Sequence, residues 1–298
     1  MDSHGKTLKL VPRFGELLLA LLMVFSGVMH FRFARGVATI MPSWMPRRLF
    51  WAYFTGTALM AAGISIVVRK QMRLAATLLG VMLFLFVLLI HVPSMVNSIV
   101  QKPGDVNVLW SFNGTGGVNN ALKDLALSLS AVILAAAHAK EQRNSRQPDA
   151  IAGALFAVVM VLFGIEHFFY TGYTPGIPSW SLVSFWIPWR LFWGYFTGAF
   201  LLCGGVMILI RKRERGAATA LGIMILAVAA LTYVFRVRAN DGNLGELINT
   251  LKDFGVAGGA FILAGILPFE QRSVVAAQPF GEAVVRIEEK TTADPLRG

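Results

Sequence analysis

The sequence predicts an all-α integral membrane protein with eight transmembrane helices, arranged as two tandem four-helix bundles. Three observations predict this. Apolar residues make up 56% of the 298 residues and charged residues only 14%, with a mean hydropathy of +0.63. A soluble domain is typically about 45–50% apolar and about 25% charged. The apolar residues come in long blocks: 49–68, 74–101, 191–210 and 216–235 contain no Lys, Arg, Asp or Glu. About twenty such residues, at about 1.5 Å rise each, cross a hydrocarbon core of about 30 Å. Finally, the chain repeats itself.

The repeat is carried by Arg48-Leu-Phe-Trp-Ala-Tyr-Phe-Thr-Gly56, which recurs as Arg190-Leu-Phe-Trp-Gly-Tyr-Phe-Thr-Gly198 at an offset of 142. That offset also relates Gly63 to Gly205, Arg69-Lys70 to Arg211-Lys212, Arg73 to Arg215 and Gly80 to Gly222. Upstream, Gly27 and His30-Phe31 correspond to Gly164 and His167-Phe168. Downstream, Asn120-Ala-Leu-Lys-Asp124 corresponds to Asn249-Thr-Leu-Lys-Asp253 at an offset of 129, so the first copy carries a loop longer by thirteen residues. A self-similar chain of this kind is read repeat by repeat.

Each copy supplies four apolar helices. In the first they are expected near 14–31, 49–68, 74–92 and 120–139; in the second near 151–169, 190–210, 216–235 and 250–268. Lys6, Lys9 and Arg13 ahead of the first apolar run have the shape of a signal peptide. No A-x-A-like site follows, and the segment recurs later, so it reads as the first membrane helix. The polar stretch 142–149 reads as the linker. The expected organisation is a first unit over 1–145, a second over 146–271 and a mobile cytoplasmic tail over 272–298.

Lys and Arg number 27 against 16 Asp and Glu, a net charge of +11. The excess is confined to short loops, which argues against nucleic-acid binding and for orientation in a bilayer. Eight crossings place both termini on one side. That side carries fourteen Lys and Arg near helix ends against eight on the other, so the positive-inside rule puts both termini in the cytoplasm of a bacterial inner membrane. The seven tryptophans, Trp44, Trp51, Trp110, Trp180, Trp186, Trp189 and Trp193, all fall toward the opposite face. They read as a one-sided interfacial belt or as the cover of an amphiphile site. The single cysteine, Cys203, excludes an internal disulfide, a CxxC pair and a four-cysteine metal site.

The polar residues inside the helices gather at one depth. Counted from the cytoplasmic charges at about 1.5 Å per residue, His30, His91, Asp124, Glu166 and Asp253 all lie ~24–27 Å up. The candidate ligand-binding residues at that level are His30, Arg48, Tyr53, His91, Asn120, Lys123 and Asp124 in the first copy. In the second they are Glu166, His167, Arg190, Tyr195, Tyr233, Asn249, Lys252 and Asp253. Asp124 is expected to pair with Arg48 or His30, and Asp253 with Arg190 or His167. Lys123 and Asp124, about 100° apart on their helix, are expected to meet different neighbours. Intramembrane ionisable groups are functional candidates by default, although an ion pair that only fixes helix docking fits the same pattern. The copies differ: Met29-His30 becomes Glu166-His167, and His91-Val-Pro becomes Tyr233-Val-Phe. No Walker loop, HExxH or GxSxG occurs, and no metal site is expected.

Four helices per unit, a Gly-x-x-His-Phe end to the first and a Pro-Trp-rich outer loop make a recognisable pattern. A Trp-x-Tyr-x-x-Gly opening of the second follows (Trp51, Tyr53, Gly56; Trp193, Tyr195, Gly198). A basic turn comes next (Arg69, Lys70, Arg73; Arg211, Lys212, Arg215). Together these features resemble the DoxX family of bacterial membrane proteins over roughly 14–140 and 151–270. The tandem form departs from the family's usual single unit. The family takes its name from a subunit of a thiosulfate:quinone oxidoreductase. The resemblance therefore implies a quinone as ligand or cofactor and another redox subunit as partner. Asp124, Asp253, His30, His91 and His167 would hydrogen-bond or protonate the headgroup. A non-catalytic membrane scaffold and a small-molecule transporter remain as alternatives, and the sequence leaves open whether the protein is an enzyme.

Overall fold

The computed structural model describes residues 3–101, 117–139, 147–169, 189–239 and 244–267. The linker, the Pro-Trp segment 178–188 and the expected tail lie wholly or largely outside the described residues, as do Trp110, Trp180 and Trp186. Every described element is helical: α1 (Ser3–Arg32), α2 (Ala34–Ile40), α3 (Arg48–Val68) and α4 (Met72–Phe86). The last runs through a π-helical turn (Val87–His91) into α5 (Val92–Gln101). Then follow α6 (Val118–Ala139), α7 (Gln147–Phe169), α8 (Arg190–Leu209), α9 (Glu214–Ala239) and α10 (Leu244–Ile266). Among the described residues, seven helical stretches are long and apolar enough to cross a bilayer. They are α1, α3, the continuous α4–α5, α6, α7, α8 and α9. The eighth expected crossing corresponds to α10, whose 23 residues include Lys252 and Asp253.

The helices are arranged inside-out relative to a soluble protein. On α4, Ala75, Ala76, Leu79 and Leu83 are buried. Leu74, Leu78, Val81 and Leu85 form an outward stripe at 43–60% exposure. Small residues inward and large apolar residues outward are what packing in lipid favours. Phe50, Trp51 and Phe54 stack on one another at the start of α3, as Phe192, Trp193 and Phe196 do on α8. All six rings are exposed, which fits an interfacial belt.

The repeat extends to backbone detail. The turn between α3 and α4 places Arg69 and Gln71 at positive φ, and the turn between α8 and α9 does the same with Arg211 and Arg213. In both, the two residues after the helix donate back into its last turn (Arg69 N to Ile66 O, 3.3 Å; Arg211 N to Ile208 O, 3.1 Å). The α4–α9 comparison breaks the symmetry. Pro93 has no N–H and its ring would clash with the carbonyl of Leu89 in an α-helix. The chain answers with the π turn over Val87–His91. Tyr233-Val-Phe235 has no proline, and α9 runs on as an uninterrupted α-helix.

The two copies do not close as self-contained bundles, contrary to expectation. Residues 1–268 form one unit. Helix α1 packs along α3 of its own copy and equally along α10 of the other; α6 packs on α4, on α7 and on α10. The eight long helices thus make a ring, with α6 and α10 in contact across its middle. Each half is a five-helix circuit that borrows the last helix of the other copy. The cause is the small-residue surface of the fourth helices. A Cβ on Gly258 of α10 would lie 2.7 Å from the Gly15 carbonyl of α1, and one on Gly15 would strike the Gly258 carbonyl. Backbones approach this closely only where both partners lack side chains. Helix α6 is buried on nearly every face, through Ala126, Ser128, Ser130, Ala131 and Ala135.

Candidate functional site

In the middle of the ring, where α6 meets α10, Lys and Asp side chains of the two copies meet. Lys123 Nζ lies 2.6 Å from Asp253 Oδ1, and Lys252 Nζ lies 2.7 Å from Asp124 Oδ1. The two Lys-Asp dipeptides of the repeat therefore cross-pair, each lysine reaching the aspartate of the other copy. Asp124 has a second partner: His91 Nε2 donates to its Oδ2 at 2.7 Å. The π turn that accommodates Pro93 brings His91 into the interior, where it is 6% exposed. Helix α4 is further fixed to α6 by Ser128 Oγ, which donates to the Gly80 carbonyl at 2.8 Å.

These contacts correct the expected partners. Asp124 meets Lys252 and His91, not Arg48 or His30; Asp253 meets Lys123 and shares the cavity wall with His167, while the side chain of Arg190 lies outside the described ones. Lys123 and Asp124 straddle one helix contact and both engage α10. The physical reason is the exchange of fourth helices. Once α10 lies against α6, the nearest opposite charge to each residue belongs to the other copy.

The histidines of the first helices are set alike. Gly56 of α3 and Gly198 of α8 let those helices approach His30 and His167, so that a Cβ on either glycine would fall 2.8 Å or 2.6 Å from the histidine's Cβ. His30 Nδ1 donates to the Ser26 carbonyl and His167 Nδ1 to the Phe163 carbonyl, both at 2.7 Å. Carbonyls only accept, so Nδ1 carries the proton and Nε2 is the acceptor of the neutral ring.

The second half contains a further pair. Asn119 Nδ2 donates to both Glu166 oxygens, at 3.2 and 3.0 Å, and both side chains are 2% exposed. Asn119 was not among the sequence candidates. The candidate Asn120 is buried on α6 but takes no part in this pair. The signal lay in what does not repeat. The offsets of 129 and 137 set Asn119 against Ile248 and Glu166 against Met29. The polar pair of one half thus corresponds to an apolar pair in the other.

A cavity of about 80 Å³ lies in the second half, walled by α6, α7, α8, α9 and α10. Its polar lining is Asn119, Lys123, His167, Thr197 and Asp253; the rest is apolar, including Met160, Phe163 and Leu201. That volume holds a few waters or part of a small headgroup. Several candidates fall outside both the network and the cavity. Tyr53 and Tyr195 are 42% and 44% exposed and rest against Phe31 and Phe168 at 5.6 and 5.7 Å. Arg48 is exposed at the start of α3. The side chains of Arg190, Tyr233 and Asn249 lie outside the described ones. Among the described residues, no group of three or more His, Cys, Asp or Glu could hold a metal ion.

A family model described as a domain of unknown function (DUF8561) matches residues 19–112, from within α1 to beyond α5. No curated protein and no solved structure matches the chain.

Proposed function

We propose that this is a DoxX-like bacterial inner-membrane protein that spans the bilayer eight times with both termini in the cytoplasm. Its second half holds the headgroup of a quinone or a similar amphiphile, and it serves as a subunit or accessory of a membrane redox complex. The observation that carries this reading is the cavity. Asn119, Lys123, His167 and Asp253 converge there inside an otherwise apolar wall. Few polar groups set in an apolar lining are the usual form of a small-molecule site. Intramembrane charge is retained most often where it meets a ligand or a proton. The test is purification in mild detergent, organic extraction and quinone and lipid analysis, repeated on His167→Phe. The reading expects a co-purifying amphiphile that His167→Phe loses while thermal stability is kept. An empty extract together with no quinone-dependent activity refutes it.

A second reading is favoured by a different observation. The crossed ion pairs leave each Lys-Asp charge with an opposite partner, as a lock between two copies in a non-catalytic scaffold requires. It expects Asp124→Asn and Asp253→Asn to lower thermal stability without altering what co-purifies.

A further inference from the structure

We propose that the second-half cavity selects a headgroup that donates a hydrogen bond, a hydroxyl such as that of a reduced quinol rather than a carbonyl, and that Asn119 Oδ1 receives it. The inference rests on the reading that this cavity takes an amphiphile, and it names the chemistry of the group that enters. Asn119 is buried at 2% exposure and lines the cavity. Its Nδ2 is committed to both oxygens of Glu166. Both oxygens of Glu166 accept from the nitrogen end of the amide, which turns the amide oxygen away from them. Asn119 Oδ1 is then a buried acceptor with no hydrogen-bond partner. Native structures rarely leave such a group unmade, and one that persists calls for an explanation. His167 lines the same cavity with Nδ1 fixed on the Phe163 carbonyl, which leaves Nε2 as a second acceptor. Asp253 adds a carboxylate whose Oδ1 already holds Lys123. A carbonyl oxygen set against Asn119 Oδ1 would face an acceptor with another acceptor, whereas a hydroxyl there donates to it. The cation of Lys123 on the same wall disfavours an ammonium donor.

The duplication argues that this arrangement is not needed for folding. At the equivalent joint of the first half stand Ile248 and Met29, so that copy dispenses with both the amide and the carboxylate. They are present together or absent together. Glu166 is then a positioning residue, which fixes the orientation of the Asn119 amide.

The full chain in lipid nanodiscs tests this with three probes of equal tail: 4-decylphenol, its methyl ether 4-decylanisole, and decyl-1,4-benzoquinone. The phenol should bind about tenfold tighter than either of the others, the worth of one desolvated hydrogen bond. Asn119→Ile combined with Glu166→Met gives this joint the composition of the first half, and should cut that preference to about twofold or less, because the acceptor that receives the hydroxyl is gone. Equal binding of all three probes to the unaltered chain overturns donor selection while leaving an amphiphile site. Preference for the quinone, or an unchanged preference in the double variant, overturns it as well. Failure of all three probes to bind overturns both this inference and the reading beneath it. The comparison of probes on the unaltered chain needs no variant to fold.

Discussion

Asp124 and Asp253 occupy equivalent positions in the repeat, yet the structure predicts that their removal has unequal consequences. At 2.7 Å and an effective dielectric constant of about 20, the Lys252–Asp124 pair attracts by roughly 6 kcal/mol. Desolvating the two ions costs several kcal/mol each, so the pair contributes little net stability. Breaking it from one side is another matter, because a buried charge is left without its partner, at about 3–5 kcal/mol. Asp124→Asn does this and also deprives His91 of a charged acceptor, so the upper part of that range is expected. Asp253→Asn strands Lys123, which at its side chain is more buried than Lys252 (7% against 18% exposed) but, unlike Lys252, lines the cavity. Water there can solvate Lys123, and Asp253→Asn should cost only about 1–2 kcal/mol. Adding Lys252→Met to Asp124→Asn removes the stranded cation and should recover about 1–3 kcal/mol, the scale of coupling between contacting residues. Equilibrium unfolding in mixed detergent and SDS micelles, followed by far-UV circular dichroism, measures these three variants and Lys252→Met alone. Equal losses for the two asparagine variants, or strict additivity of Asp124→Asn and Lys252→Met, would refute the reasoning.

Gly15→Ala and Gly258→Ala should each destabilise by about 1–3 kcal/mol, because the added methyl meets a carbonyl of the facing helix. Gly36→Ala, with nothing within 4 Å of the new Cβ, should be neutral or stabilise by up to about 1 kcal/mol; thermal melts in detergent compare the three. Because α1 lies against α10, fragments 1–145 and 146–298 should be unstable when expressed singly and co-purify when expressed together. Stable, independent fragments would contradict the interleaved ring. Alkaline phosphatase fused after residue 110 should be active and after residue 143 inactive, as the loop charges require; the reverse pattern would invert the proposed orientation.

The helices and their repeat could be read from the chain, because both depend on local periodicity and on comparing one copy with the other. Of the candidates, His91, Asp124 and Lys252 come into contact, as do Lys123 and Asp253. The partners could not be read. The fourth helices of the two copies carry the same Asn-x-x-Lys-Asp pattern, so closing each copy on itself and exchanging helices between copies satisfy the same periodicities. Only the close approach of Gly15 to Gly258 decides between them, and that is a property of surfaces, not of spacing. Tyr53 and Tyr195 misled for a related reason. They repeat faithfully, but they repeat as part of the aromatic outer face.

Asn119 points to a different way of reading a duplicated chain. Identity between copies marks what the frame needs: the glycines that seat His30 and His167, the basic turns at positive φ, and the crossed lysines and aspartates. Difference marks what each half does separately. The first half has Pro93, the π turn it causes and the His91 bond to Asp124, while its joint between first and last helices is apolar at Met29 and Ile248. The second half has no proline at that point. It places a carboxylate and an amide where the first has two apolar side chains, and a cavity opens beside the amide. A lock between equivalent helices would be served by equivalent residues on both sides. The pairwise departure of Asn119 and Glu166 from the symmetry therefore favours a ligand site in one half, built on a frame that both halves hold in common.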